Sequence, residues 1–350
     1  MPPYSAAIVG LTGIGAARPA DSEDGGLYAA MPRSHAAAYH RHPQTQLCAV
    51  CDLNSEALEQ FSQTWQDVWP QMRYYSDYQK MLKEIRPDLL SVVTSDHAHA
   101  DIVVQAAHST PSAILCEKPI ATTLADADRM IAACEETNTL LSIEHTRRWD
   151  PNYVKARQLI RTGEIGPLRT IVVEMFSQRS MLFRNGIHFI DMLNYFAETP
   201  AQWLVAELEE GFAGSDEYGG SGGRDPDSEP YASAYIHYGG GVRAFYNSYK
   251  TTLPGAQLNI TCDEGRLELS ERNARLIRST SHYEWLESDL QVGNYMYTHQ
   301  LGAVAELVNV LENGGELVCP PQAARSALEI ALAIQRSHNA GNMRIDLPLS

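Results

Sequence analysis

The residues best placed to do chemistry lie in the run Leu115-Cys116-Glu117-Lys118-Pro119. It closes a short apolar stretch, Ser112 to Cys116, with the length and composition of a buried parallel strand. Ligands of open α/β sheets gather beyond the carboxyl ends of the strands, and Lys118 stands at such an end. Pro119 has no backbone donor and keeps Lys118 out of the helical region, so the lysine leaves from an extended turn. Half-buried beside a cofactor, an ammonium becomes usable as a general acid or base. Taken alone, the tripeptide reads more simply as a solvated strand-to-helix turn. Its weight comes from its surroundings.

A second group is Gly10-Leu11-Thr12-Gly13-Ile14-Gly15, which ends the apolar strand from Tyr4 to Leu11. Glycines there let backbone N–H groups approach a pyrophosphate, as in the G-x-G-x-x-G turn of dinucleotide-binding domains. Thr12 occupies the middle glycine position, and Gly13 comes one place later. A helix should follow at once, but residues 16–33 are rich in Pro, Gly, Asp and Glu, and the helical start is at Ser34, a suitable N-cap. This stretch reads as an inserted loop of eighteen residues. Removing it from the 37 positions between Gly15 and Asp52 leaves 19, close to the ~20 expected for a ribose-binding acid. Asp52 therefore points to NAD, because a carboxylate accepts from a ribose 2′-hydroxyl and repels a 2′-phosphate.

The elements needed to hold these groups are legible in order. Strand and helix alternate through 55–65, 78–85, 88–94, 112–116, 123–137 and 140–143, which implies a doubly wound βαβ domain. Thr94 and Ser95 end one of its strands; His99, just beyond, either lines the cofactor site or caps its helix. From Arg147 the pattern changes to runs of strands, which implies an α+β domain with a mostly antiparallel open sheet. Residues 211–230, rich in Gly, Ser and Asp, read as a long exposed loop. The boundary is drawn after Thr122: a Rossmann domain over 1–122 and a substrate-binding and oligomerisation domain over 123–350.

Composition excludes several classes. A net charge of −16 argues against nucleic acid and anionic membranes, both of which want basic patches. No apolar run approaches the ~18 residues of a membrane span, and no amino-terminal signal pattern is present. Cys48 and Cys51 form a C-x-x-C, but they sit in an apolar strand with no second pair at zinc-site spacing, so they read as small buried hydrophobes and no metal is expected. A cytoplasmic location with reduced thiols follows.

Several motifs coincide in order. With the Gly10–Gly15 turn come Val92–His99, Glu117-Lys118-Pro119, His145–Arg148 with Trp149 and Pro151, Gly163–Gly166, Gly186-Ile187-His188-Phe189-Ile190-Asp191, Asp263–Leu267 and Ile345–Leu349. Together they resemble the Gfo/Idh/MocA family, nicotinamide-dependent oxidoreductases of the glucose-fructose oxidoreductase and inositol dehydrogenase type. The resemblance implies that Lys118 and His188 flank the reacting alcohol oxygen, in a cleft that holds the nicotinamide. His188 would hydrogen-bond the hydroxyl, relay its proton or act as the base. Cofactor contacts would come from Gly10, Thr12, Gly13, Ile14 and Gly15, from Asp52, Thr94, Ser95 and His99, and from Glu117 and Lys118. Substrate contacts would come from Arg184, Asn185, Asp191 and Arg148.

One departure is informative. Many members carry an aspartate four residues before the histidine, where this chain has Arg184. A guanidinium there suits an anionic or acceptor-rich sugar derivative. The expected activity is hydride transfer between NAD and a secondary alcohol of a sugar, cyclitol or sugar derivative, in a homodimer or homotetramer. The rivals are an NAD-dependent glycosidase of the same fold and a non-catalytic NAD(P)- and sugar-binding regulator. The second is weakened because Lys118 and His188 are both present.

Overall fold

In the computed structural model, residues 3–19, 33–212, 214, 218–220, 223, 225–270, 273–293 and 297–349 are described. They fall into two units: residues 1–149 with 219–222 and 295–324, and residues 150–218 with 223–294 and 325–350.

The first unit is built on β1 (Tyr4–Val9), α1 (His35–Arg41), β2 (Thr45–Cys51), α2 (Ser55–Trp65), β3 (Arg73–Tyr75), α3 (Tyr78–Ile85), β4 (Leu89–Val92), α4 (His99–Ala107), β5 (Ala113–Cys116), α5 (Leu124–Thr137) and β6 (Leu140–Ile143). The strands pair in the order β3-β2-β1-β4-β5-β6, every pair parallel. β4 and β5 are buried from end to end, which is why they read as continuous apolar runs. Helix starts are fixed by short polar side chains: Ser34, Asn54, Asp77 and Thr123 each accept a backbone N–H of the helix they precede.

The second unit contains α6 (Pro151–Arg161), β7 (Leu168–Phe176), α7 (Ile187–Ala197), β8 (Ala201–Leu208), β9 (Ala232–Tyr238), β10 (Arg243–Tyr249), β11 (Gly255–Cys262), β12 (Gly265–Ser270), β13 (Ala274–Ser279) and β14 (Trp285–Asp289). α8 (His299–Asn313) then returns to the first unit, α9 (Pro321–Asn339) follows, and β15 (Ile345–Asp346) ends the second. Its nine-stranded sheet runs β14-β13-β12-β11-β7-β10-β9-β8-β15, antiparallel except for the β7–β10 pair. Both halves of the expected architecture are present: a parallel Rossmann sheet and a mostly antiparallel second sheet.

The boundary after Thr122 does not coincide with this division. β6 completes the parallel sheet, the first unit runs on to Trp149, and α8 packs against α1, β5 and β6. Sequence order therefore understates how much of the chain the Rossmann sheet gathers. Most of the expected insertion, residues 20–32, lies outside the described residues. Its base is closed, because Ser34 Oγ donates to the Ala17 carbonyl and Trp65 Nε1 donates to the Ala16 carbonyl at 2.8 Å. The 211–230 stretch is described only in part, and that part is not simply an exposed loop. Tyr218 is buried and stacks on Phe183 at 4.1 Å between ring centroids, and Glu229 is buried too.

Candidate functional site

β1 ends in the glycine turn. Gly10 has φ +97°, and a Cβ there would stand 2.4 Å from the Val93 carbonyl oxygen. A Cβ on Gly15 would stand 2.4 Å from the Gly10 oxygen. Neither position admits a side chain. Gly13 to Gly15 form one 3₁₀ turn in which Gly13 and Ile14 are exposed, as is Thr12 before them. The first N–H groups of such a turn have no partner within it and are available to an anion.

Asp52, directly after β2, braces this turn. Its Oδ2 accepts the Leu11 N–H at 2.8 Å and its Oδ1 accepts the Asn54 N–H at 2.9 Å. Each oxygen keeps another lone pair for a hydroxyl donor. Thr94 and Ser95 leave the end of the β4 strand half-buried, and Thr94 Oγ1 is buried with no hydrogen-bond partner among the described residues. An orphaned hydroxyl where the strand order reverses, between β1 and β4, is what a bound dinucleotide would satisfy. The residues present fit that cofactor.

His99 departs from both expectations. It has no exposed surface, and its nitrogens lie against two carbonyls, Pro119 O at 3.0 Å and Thr94 O at 3.2 Å. His99 is thus a brace between the β4 and β5 turns, with no ring nitrogen turned toward a cofactor.

Lys118 follows β5, half-buried, with a cis bond to Pro119. Its backbone N–H donates to Glu117 Oε2 at 3.2 Å. Glu117, expected on the cofactor, is instead turned inward: it is buried, and its Oε1 lies 3.3 Å from His35 Nε2. Burial alone would raise this carboxyl. The His35 hydrogen bond, the Lys118 ammonium and the Lys118 N–H outweigh it and hold Glu117 below the usual carboxylate value. Glu144, just after β6, shows the opposite case. Burial, Glu117 and Glu306 push it well up, and neither of its oxygens has a hydrogen-bond partner among the described residues.

In the second unit a π turn, Leu182–Gly186, runs directly into α7 and carries Arg184 and Asn185 four and three residues before His188. The turn is started by the Glu229 carboxylate, whose Oε2 accepts the N–H groups of Phe183 at 2.9 Å and Arg184 at 3.1 Å. Negative charge at a helix start is favourable for the helix dipole. Asn185 donates to the Arg179 carbonyl at 2.7 Å. Arg184 and His188 are half-buried, whereas Asp191 has no exposed surface. Asp191 lies close enough to Tyr238 that, after burial, its charge is what raises that phenol.

Arg148, expected on the substrate, is buried, with Nη1 donating to the Val318 carbonyl at 2.7 Å, so it anchors the segment before α9. Cys48 and Cys51 are both free thiols three residues apart on one strand, and residues at odd spacing face opposite sides. Burial raises both, Cys51 to about 12. The sequence reading missed His35, Glu144 and Glu229. For His35 and Glu144 the signal was a polar side chain beside a run of apolar residues; Glu229 sits in the stretch read as an exposed loop and carried none.

These features define a dinucleotide-binding Rossmann domain joined to an open-sheet domain. Residues 26–145 match the family model described as GFO_IDH_MocA, an oxidoreductase family with an NAD-binding Rossmann fold, the family that the sequence motifs resemble. It is 32% identical over 177 residues to a D-apiose dehydrogenase of Paraburkholderia graminis, covering 47% of this chain and 46% of that protein. It is 28% identical over 163 residues to an inositol 2-dehydrogenase of Salmonella paratyphi B, covering 43% and 46%. The chain thus spans about half the length of the curated relatives it matches. Among solved structures, the WlbA dehydrogenase of Bordetella pertussis, in complex with NADH and UDP-GlcNAcA, shares the fold at a TM-score of 0.75 with 19% identity, over 99% of this chain and 100% of that one.

Proposed function

We propose that this chain transfers a hydride between NAD and a secondary alcohol on a sugar, cyclitol or sugar derivative. One observation carries the reading: the glycine turn, Asp52, Thr94 and Lys118 leave the carboxyl ends of β1, β2, β4 and β5 of a single parallel sheet. The names of the matched relatives, D-apiose dehydrogenase and inositol 2-dehydrogenase, support a polyhydroxylated substrate.

Bound nicotinamide supplies the hydride acceptor or donor; the rest falls to the chain. As the carbinol C–H leaves as hydride, its O–H proton must leave too, and the Lys118 amine takes it, becoming an ammonium while the C=O forms. In reduction the ammonium returns the proton. His188 supplies a second hydrogen bond to the reacting oxygen. Asp52 favours NAD over NADP, and Arg184 clamps an acceptor-rich part of the substrate.

The chain works in the cytoplasm, where its six free thiols stay reduced. It self-associates through the open face of the second sheet. There the Trp203 and Tyr235 rings lie 5.3 Å apart, and Tyr235 and Phe245 lie 5.2 Å apart. Light scattering tests that association.

The deciding experiment for the activity incubates the chain with NAD⁺ or NADP⁺ and panels of aldoses, uronates and inositols, and follows reduced-cofactor absorbance. Absence of turnover across all three panels, with NADH binding intact, would discard the dehydrogenase reading. Glycoside hydrolysis with no net change in the cofactor would replace it with the glycosidase.

A further inference from the structure

Beneath the Lys118 turn runs a line of buried polar groups drawn from α1, β4 and β5. Tyr39 OH lies 2.8 Å from Ser91 Oγ, Ser91 Oγ lies 2.9 Å from His35 Nδ1, and His35 Nε2 lies 3.3 Å from Glu117 Oε1. His35 has no exposed surface, and Ser91 has none. An ionised carboxylate only accepts, so His35 donates to Glu117 through Nε2–H. The line ends on the carboxylate that receives the Lys118 backbone N–H.

We propose that His35 is a positioning residue for the reaction: held on one side by Ser91, it fixes the Glu117 carboxylate and through it the Glu117-Lys118-Pro119 turn that presents the lysine. This rests on the acid–base role given above to Lys118. The charged and titratable groups facing the pair are Tyr39 on α1, Lys118 on the turn itself and Glu144 after β6, with Glu306 on α8 behind Glu144. Burial and its acidic neighbours push Glu144 up while Glu117 is held down, so of the two carboxyls Glu117 is the one that ionises more readily. Without His35, a carboxylate this buried takes up a proton, because an unpaired buried charge is worse than a neutral acid. The ammonium of Lys118 then loses its neighbouring anion.

The amides of Asn and Gln separate the two sides of the imidazole. Asn reaches about as far as Nδ1 and keeps Ser91; Gln reaches about as far as Nε2 and keeps Glu117. The test is competitive acetylation of Lys118 by acetic anhydride across pH, read by mass spectrometry on folded wild type, His35→Asn, His35→Gln and, as a control for loss of a distant buried hydrogen bond, Ser337→Ala. NADH binding is followed by fluorescence on the same samples. His35→Asn should move the Lys118 profile down by at least about half a pH unit, a threefold gain in reactivity at a fixed pH below the midpoint. His35→Gln and Ser337→Ala should superimpose on wild type. A His35→Asn profile that also superimposes on wild type overturns the proposal, and so does a His35→Gln profile that moves as far as that of His35→Asn. Wild type that fails to bind NADH would count against the cofactor reading and would leave the labelling comparison standing.

Discussion

α8 carries two half-buried groups that titrate against each other, and their opposition can be measured. His299, at its start, is held below the ordinary imidazole value, at about 4, by burial with Arg33 and Arg147 nearby. Glu306, two turns on, is pushed up to about 7 by burial, against the Val318 N–H, the Trp149 indole and Arg148. Between about 4 and 6.5 the folded state binds fewer protons at His299 than the unfolded chain, so this group makes stability rise with pH. Between about 4.5 and 7 it binds more at Glu306, so that group makes stability fall with pH. At about 1.4 kcal/mol per pKa unit, each displacement is worth roughly 3 kcal/mol. From about 4.5 to 6.5 the two slopes nearly cancel. Glu306→Gln keeps an oxygen for the Val318 N–H, which Glu306 Oε1 accepts at 2.8 Å, and removes one side of the balance. Subtracting wild type from the variant leaves Glu306 alone: the variant should gain roughly 2–3 kcal/mol relative to wild type between pH 4.5 and 7. With two units in one chain, a global melt mixes transitions. The readout is therefore hydrogen exchange of the β5 and β6 amides in the unit that holds α8. A difference flat to about 0.5 kcal/mol, or one growing toward acid, would refute the burial argument.

Three other outcomes are expected. Lys118→Ala should cost ~10²–10⁴ in the chemical step while NADH affinity stays near wild type; near-full turnover on the identified substrate would pass the proton to His188 alone. Asp52→Ser should narrow the preference for NADH over NADPH in titration calorimetry, and because Asp52 also holds the Leu11 N–H it should weaken both cofactors; tighter NADPH binding by wild type would contradict the assignment. Arg184→Lys keeps the charge and loses the planar fork, so KM for an acidic sugar should rise at least about tenfold; equal use of a neutral sugar and its uronate, unchanged in Arg184→Ala, would remove the clamp.

How much of this was legible in the sequence depends on what each element is made of. Helices over 55–65 and 78–85 and the strand over 140–143 lie where the apolar period puts them. β3, β13, β14 and β15 were not seen. β14 is exposed along its whole length, so it has no buried period to read; it is held by pairing with β13 and by charge pairs such as Arg275–Glu287. Lys118, Asp52 and the glycine turn could be singled out because each directly follows a strand whose apolar run is legible, and the structure puts them at those strand ends. The bond of Arg148 to the Val318 carbonyl, 170 residues away, was not legible, because a local motif says nothing of so distant a partner. The His35–Glu117 pair joins residues 82 apart, and no local pattern announces a bond of that kind.

Gly10 and Gly15 have a bearing on how such chains change over generations. The Gly10 Cβ is forbidden by the Val93 carbonyl and the Gly15 Cβ by Gly10 itself, so both glycines are required by the close approach of chain to chain, before any ligand arrives. A descendant that had lost its cofactor would still be under selection to keep them, simply to fold. Persistence of the glycine turn is thus a record of the architecture. The residues that the close approach of chain to chain does not need are the exposed Thr12 and Ile14 and the orphaned Thr94 hydroxyl. It is there that loss of the proposed activity would first be written.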